Sequence, residues 1–226
     1  MFEKKVEETL LGISLKEYKQ TIDFSVLSPM YGEKDLERAA NIAYKNRYRS
    51  LCVLPFAVRK MRAYVDQKLS GAIKIGTVVD FPLGGSVLPV KQLEARHAFF
   101  DGADYIDVVV NMGYVKTGDF SALKKEITRM VRTARRKEIN VVLETSALSR
   151  DEIEKVCRLC ARCKVDAVMT NTGFGSGGTG PEVVEMFANI LNGKCKVKAA
   201  GGIATKEDVF NVLRAGASIV GTSREV

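Results

Sequence analysis

What this chain lacks narrows its chemistry before any motif is considered. It has a single histidine, His97, set mid-helix in EARHAFFDG. A zinc centre built on several imidazoles therefore has no ligands to draw on. No run of about 18 or more uncharged apolar residues occurs, so no helix of it is expected to span a membrane. The opening stretch, MFEKKVEETLLGISLKEYKQ, is too charged to hold the apolar centre of a secretory signal, which leads to the expectation of a cytoplasmic protein. Five cysteines, an odd number in 226 residues, fit reduced thiols better than a disulfide framework. Three of them, Cys157, Cys160 and Cys163 in CRLCARC, share a spacing with iron–sulfur runs. A helical pattern continues through them and no fourth cysteine follows nearby, so no cofactor is expected there. No long low-complexity linker interrupts the chain, and at 46% hydrophobic residues 1–226 read as one domain around one core.

Charge is the first positive signal. A formal net charge of +8 suits anionic ligands and, in principle, nucleic acid. The densest basic piece, Arg129 to Lys137 (RMVRTARRK), alternates apolar and basic residues at helical spacing and reads as a solvated helix face. No aromatic residues interleave it, as a single-strand binding surface requires. A small anionic ligand is the expected partner, rather than nucleic acid or a membrane.

The elements alternate. Short β-branched runs occur at Thr21–Leu27, Ser50–Pro55, Ile73–Val79, Tyr105–Val110, Asn140–Glu144, Ala167–Thr170, Cys195–Ala199 and Ser218–Gly221. Between them lie helical patterns over Glu33–Asn46, Ala57–Lys68, Val90–Phe100, Ser121–Lys137, Asp151–Lys164, Pro181–Leu191 and Lys206–Ala215. Ser149 with Glu152, and Thr205 with Asp208, are spaced as capping boxes. Eight apolar strands separated by helices predict an α/β fold with a parallel sheet covered by helices, and eight units in one domain favour a closed (β/α)8 TIM barrel. Residues 1–20 predict an extra N-terminal helix able to close the bottom of the barrel. The chain stops a few residues past the eighth strand, which leaves the covering of that side open.

The stretch with most chemical content is DAVMTNTGFGSGG, Asp166 to Gly178. A buried strand ends in Thr170, Asn171 and Thr172 and breaks into a glycine-rich loop able to approach an anion with its backbone. Its glycines also match a G-x-G-x-x-G fingerprint, but the acidic residue that a dinucleotide site needs about 20 residues later is replaced by CKVKAAGG.

This stretch resembles the sixth-strand motif of the deoxyribose-phosphate aldolases, close to D-F-V-K-T-S-T-G-F. The resemblance spreads over nearly the whole chain: TVVDFPLGG to T-V-I-G-F-P-L-G, YIDVVVNMG to E-I-D-M-V-I-N-I-G, and KVKAAGGIAT to V-K-A-S-G-G-I-R-T. It implies a class I aldolase that exchanges 2-deoxy-D-ribose 5-phosphate with D-glyceraldehyde 3-phosphate and acetaldehyde through a lysine Schiff base, without cofactor or metal. Met169 stands where the family has that lysine, and a thioether forms no imine. By resemblance Asp107 is the proton-relay acid and Lys198 the second active-site lysine. Asp23, Cys52, Thr145, Thr170 and Thr172 line the substrate site, and Gly173, Gly201, Gly202, Gly221, Thr222 and Ser223 form the phosphate cradle. Loops after strands seven and eight hold phosphate in such barrels, and Arg224 adds a cation. Phe24, Ser28 and Asp80 also depart from the family pattern, Asp80 with no evident structural purpose. Lys116 matches a family lysine on the loop after strand four and reads by default as solvated. Family members often dimerise, so a homodimer is an expectation that no residue here bears on. Three readings stay open: a disarmed aldolase, a non-catalytic sugar-phosphate binder, or a divergent aldolase using Lys198.

Overall fold

In the computed structural model of the protein, residues 15–226 are described. The elements in chain order are α1 (Leu15–Lys19), β1 (Ile22–Val26), α2 (Glu33–Asn46), β2 (Ser50–Val53), α3 (Val58–Lys68), β3 (Lys74–Val79), α4 (Leu88–Phe100) and β4 (Tyr105–Val109). They continue with α5 (Met112–Lys116), α6 (Phe120–Ala134), β5 (Glu138–Val142), α7 (Arg150–Cys163), β6 (Ala167–Met169), α8 (Pro181–Leu191), β7 (Lys196–Ala200), α9 (Lys206–Arg214) and β8 (Ile219–Thr222). All strand pairs are parallel, and β1 pairs with both β2 and β8, closing an eight-stranded barrel inside a ring of helices. The expected N-terminal helix falls mostly outside the described residues. Its last stretch, α1, docks through Tyr18, which is buried and stacks on Phe210 of α9 at 5.1 Å between ring centroids.

Most of the longer outer helices present an apolar stripe to the barrel, as the 3.6-residue period dictates. On α7 that stripe is Ile153, Val156, Cys157 and Cys160, so two of the three clustered cysteines serve as small apolar core residues. Burial first, and then the neighbouring Cys195 thiol, push Cys157 up to about 12, which leaves it an inert thiol. Both capping boxes form: Ser149 accepts from the Glu152 N–H, and Thr205 from that of Asp208. A short helix the pattern did not predict, α5, follows β4. The Asn111 side chain starts it by accepting from the N–H groups of Gly113 and Tyr114, so Asn111 is a helix cap. Val226 is buried, and its carbonyl accepts from the Tyr48 hydroxyl at 2.7 Å.

Inside the barrel, strand alternation sends Asp23, Ser50, Tyr105, Asp107, Asn140 and Lys198 into a polar layer, all fully or nearly fully buried. The Tyr105 ring fits because β3 offers it a glycine: a Cβ on Gly76 would lie 2.0 Å from Tyr105 Cζ. Gly76→Ala is therefore expected to destabilise by about 1–3 kcal/mol, the usual range for forcing extra volume into a packed core. A denaturation midpoint equal to that of the parent chain would show that the ring has room to move.

Candidate active site

The mouth at the C-terminal ends of the strands holds a cavity of about 450 Å³. Met169 and Asp107 form part of its floor; Thr172, Gly173, Gly201, Gly202, Gly221, Thr222 and Ser223 line its wall. Ser25 near the end of β1, Ser28 and Tyr31 from the loop after it, and Phe81 from the loop after β3 complete it. Gly201 and Gly202 turn the chain after β7 at φ of 96° and 77°, a region that an L side chain rarely adopts. A Cβ on Gly201 would also stand 2.9 Å from that of Asn171. Among the described residues, the N–H groups of Gly173, Gly201, Gly202 and Ser223 have no acceptor within the protein. Four unspent donors on one wall, with Arg224 beside them, make an anion-binding concavity.

Beneath the floor lies a closed ion cluster. The Lys198 ammonium contacts Asp107 Oδ2 at 2.7 Å and Asp23 Oδ2 at 2.8 Å, and stands 4.7 Å from the centre of the Tyr105 ring. Asp23 is held further by Arg49 and by the Ser50 hydroxyl, each at 2.5 Å, and Asp107 by the Asn140 amide at 2.8 Å. Burial alone would depress Lys198, but Asp107 and then Asp23 more than offset it, so the amine stays protonated well above the ordinary lysine range. Asp23 moves the other way. Burial opposes its charge, yet Lys198 and Arg49 bring it down from 3.8 to about 2. Its contribution to stability is thus complete above about 3.8 and lost as pH falls through about 2. Burial keeps Asp107 above the usual carboxylate value despite Lys198, with Asp23 adding to the rise. That suits a group that takes up and returns a proton.

The predicted site residues do not all reach the mouth. Cys52 is buried below it beside Val78 and Tyr105, and burial raises its thiol. Asp23 meets Lys198 rather than the cavity. Thr170 points outward, its hydroxyl on the Ala200 carbonyl at 2.9 Å, because it follows the inward Met169 in the strand alternation. Thr145 bonds Asn171 Oδ1 at 2.8 Å and ties the loops after β5 and β6 together. Neither threonine lines the cavity. Thr172 does, anchored by Glu144 Oε2, which accepts its hydroxyl at 2.5 Å and its N–H at 3.0 Å. Lys116 lies on α5 and pairs with Glu152 at 2.8 Å.

Asp80 needs correction, since it has a structural purpose. Its carboxylate accepts from the Ser86 N–H and hydroxyl and stands 3.1 Å from the ammonium of Lys91, which is fully buried. Lys91 also reaches Glu126 at 3.2 Å and the carbonyls of Gly84 and Val109, both at 2.9 Å. Reading the sequence missed this cluster because its members come from β3, α4 and α6, with no spacing that joins them.

Comparison with known proteins bears on the family and the fold. The profile of the DeoC/LacD family aldolases matches residues 19–223. The deoxyribose-phosphate aldolase of Thermococcus gammatolerans is 35% identical over 219 residues, covering 96% of each chain. That of Caldicellulosiruptor saccharolyticus is 36% identical over 214 residues, covering 93% of this chain and 96% of its own. Among solved structures, the tetrameric deoxyribose phosphate aldolase of Aeropyrum pernix superposes with a TM-score of 0.86 at 27% identity, over 98% of this chain and 92% of that one.

Proposed function

Because this chain belongs to the DeoC/LacD family of aldolases, we propose that it binds a phosphorylated sugar of the 2-deoxyribose 5-phosphate kind in the barrel mouth, and that Met169 occupies the place of the family's Schiff-base lysine. Family membership places it among the aldolases, a class of lyases. The finer reading is a sugar-phosphate site that has lost its nucleophile. One observation carries it: the cavity wall keeps four free N–H donors, while among the described residues no lysine lines it.

Phosphate oxygens accept from the N–H groups of Gly201, Gly202 and Ser223, and Arg224 supplies the opposing charge. The sugar chain then runs down toward Asp107 and Met169. A second reading, with Lys198 as substitute nucleophile, is disfavoured by the ion cluster. An amine must be neutral to attack a carbonyl, and two carboxylates keep Lys198 charged.

Calorimetry with 2-deoxyribose 5-phosphate and with sulfate tests the site. Both are expected to bind. Gly202→Asp is expected to weaken them by about a hundredfold or more, since it removes charge-assisted bonds and adds a repelling carboxylate. Unchanged affinity in a folded Gly202→Asp protein would move the phosphate site elsewhere. Borohydride treatment with the sugar should leave the intact mass of the parent chain unaltered. A reduced adduct on Lys198 would reinstate the divergent-aldolase reading.

A further inference from the structure

The barrel mouth makes no use of the outer faces of α4 and α6, and between them lies a second, larger cleft of about 940 Å³. From α4 it takes Arg96, Phe99 and Phe100, and Phe100 is 78% exposed. From α6 and the turn after it come Arg129, Arg132, Arg135, Arg136 and Lys137. Among the described residues no acidic side chain lines it. Among the described residues none of these five arginines makes an ion pair, whereas helices elsewhere pair theirs: Arg158 with Glu154, and Arg62 with Asp66. The cause is local. The only acid on α6, Glu126, is turned inward to Lys91 and the Asn111 N–H, so the outer face keeps a single sign of charge.

The helix also ends early. Its pattern predicts a helix to Lys137, but α6 stops at Ala134 and Arg135 adopts φ 56°, ψ −103°, a conformation that costs an L residue energy. The residues past this break still line the cleft. A concave, aromatic-walled site with unpaired guanidinium groups is built for phosphate, whose oxygens match the planar guanidinium fork.

We propose that this cleft binds a small molecule carrying a chain of phosphates, whether a nucleoside triphosphate or inorganic tripolyphosphate. Its volume lies within the range of small-molecule sites, about 300–1,000 Å³. The concentration of like charge disfavours a second copy of this chain as the occupant. Phosphates lie on Arg96, Arg129 and Arg132, and the exposed Phe100 ring is placed to stack on a base if the ligand has one. This site is independent of the barrel mouth and of the reading proposed for it.

The test is calorimetry on the full chain at low salt with ATP, tripolyphosphate and adenosine. ATP and tripolyphosphate are expected to bind, adenosine to give no heat, and affinity to fall as salt is raised. Arg129→Ser/Arg132→Ser removes two exposed side chains, so the fold is expected to persist, checked by circular dichroism. It should weaken both ligands by at least about tenfold, as loss of charge-assisted bonds does. Gly202→Asp, altered only at the mouth, should bind them as the parent chain does. ATP much tighter than tripolyphosphate assigns the nucleotide as the source, and equal affinities assign the inorganic one. The proposal is overturned if neither binds, if the double variant keeps full affinity, or if Gly202→Asp alone loses it. It is also overturned if a single-stranded oligonucleotide or an anionic vesicle binds more tightly than both.

Discussion

If the chain is an aldolase that has lost its nucleophile, as proposed, Met169→Lys is expected to raise cleavage of 2-deoxyribose 5-phosphate above that of the parent chain. Met169 is paired in register with Lys198 across β6 and β7, and neighbouring strands lie about 4.8 Å apart. A new amine there is buried beside an ammonium that its own carboxylates keep charged. Both influences lower its pKa toward the working range, which an imine-forming amine needs. Asp107 lies on the same cavity floor to move the proton. Loss of a covalent nucleophile costs up to about 10⁶ in turnover in a serine protease, and a misplacement of about 1 Å forgoes about 10². A gain of about 10³–10⁴ over the parent chain is therefore expected, read by coupled assay of glyceraldehyde 3-phosphate release. Trapping with borohydride should place the adduct at position 169. A folded variant that stays at background and traps no imine would mean the pocket has changed for a different ligand.

Lys198→Ala is expected to be the most damaging single truncation for stability. It leaves Asp107 buried without its main partner and Asp23 with Arg49 as its one remaining cation among the described residues. Breaking a buried pair from one side costs about 3–5 kcal/mol, which at about 2–4 °C per kcal/mol is about 6–20 °C in Tm for a chain of this size. The sign of the pH dependence identifies the cause. Asp107 already sits above its ordinary value through burial, with Lys198 pulling it down. Without that ammonium it rises further, so the folded variant takes up a proton more readily than the unfolded chain. The deficit should shrink as pH falls from 7 toward 5. A deficit equal at both pH values would point to lost packing of the lysine stem instead. Lys198→Met/Asp107→Asn, which removes the charge imbalance, should recover most of the loss.

The barrel was legible because its signal is local. Eight apolar runs at regular intervals need no partner to be recognised, and α2 and α8 begin and end where their patterns do. The glycine turn after β7, at Gly201 and Gly202, was legible for the same reason. Other placements depend on side-chain direction or on distant partners. Thr170 was placed at the site by resemblance to the family motif, yet one step along the strand from Met169 reverses the side chain. Asp80 looked purposeless because its partner Lys91 lies on the next helix and Glu126 three elements further on. The basic stretch Arg129–Lys137 is solvated, as its pattern predicts, but its place beside Phe99 and Phe100 was not legible, because those rings belong to α4. Packing, not sequence order, makes those neighbours.

Lys91 gathers four oxygens, from Asp80, Gly84, Val109 and Glu126. In other folds a bound calcium does the same, drawing carbonyls and carboxylates from separate segments around one positive centre. Here the ion is tethered to the chain, so no chelator can strip it and no dilution can dissociate it. Being wholly enclosed, it is also shielded from added salt. The rim over β3 and β4 therefore carries a permanent counter-ion, and its shape is independent of whatever divalent metal the surroundings supply.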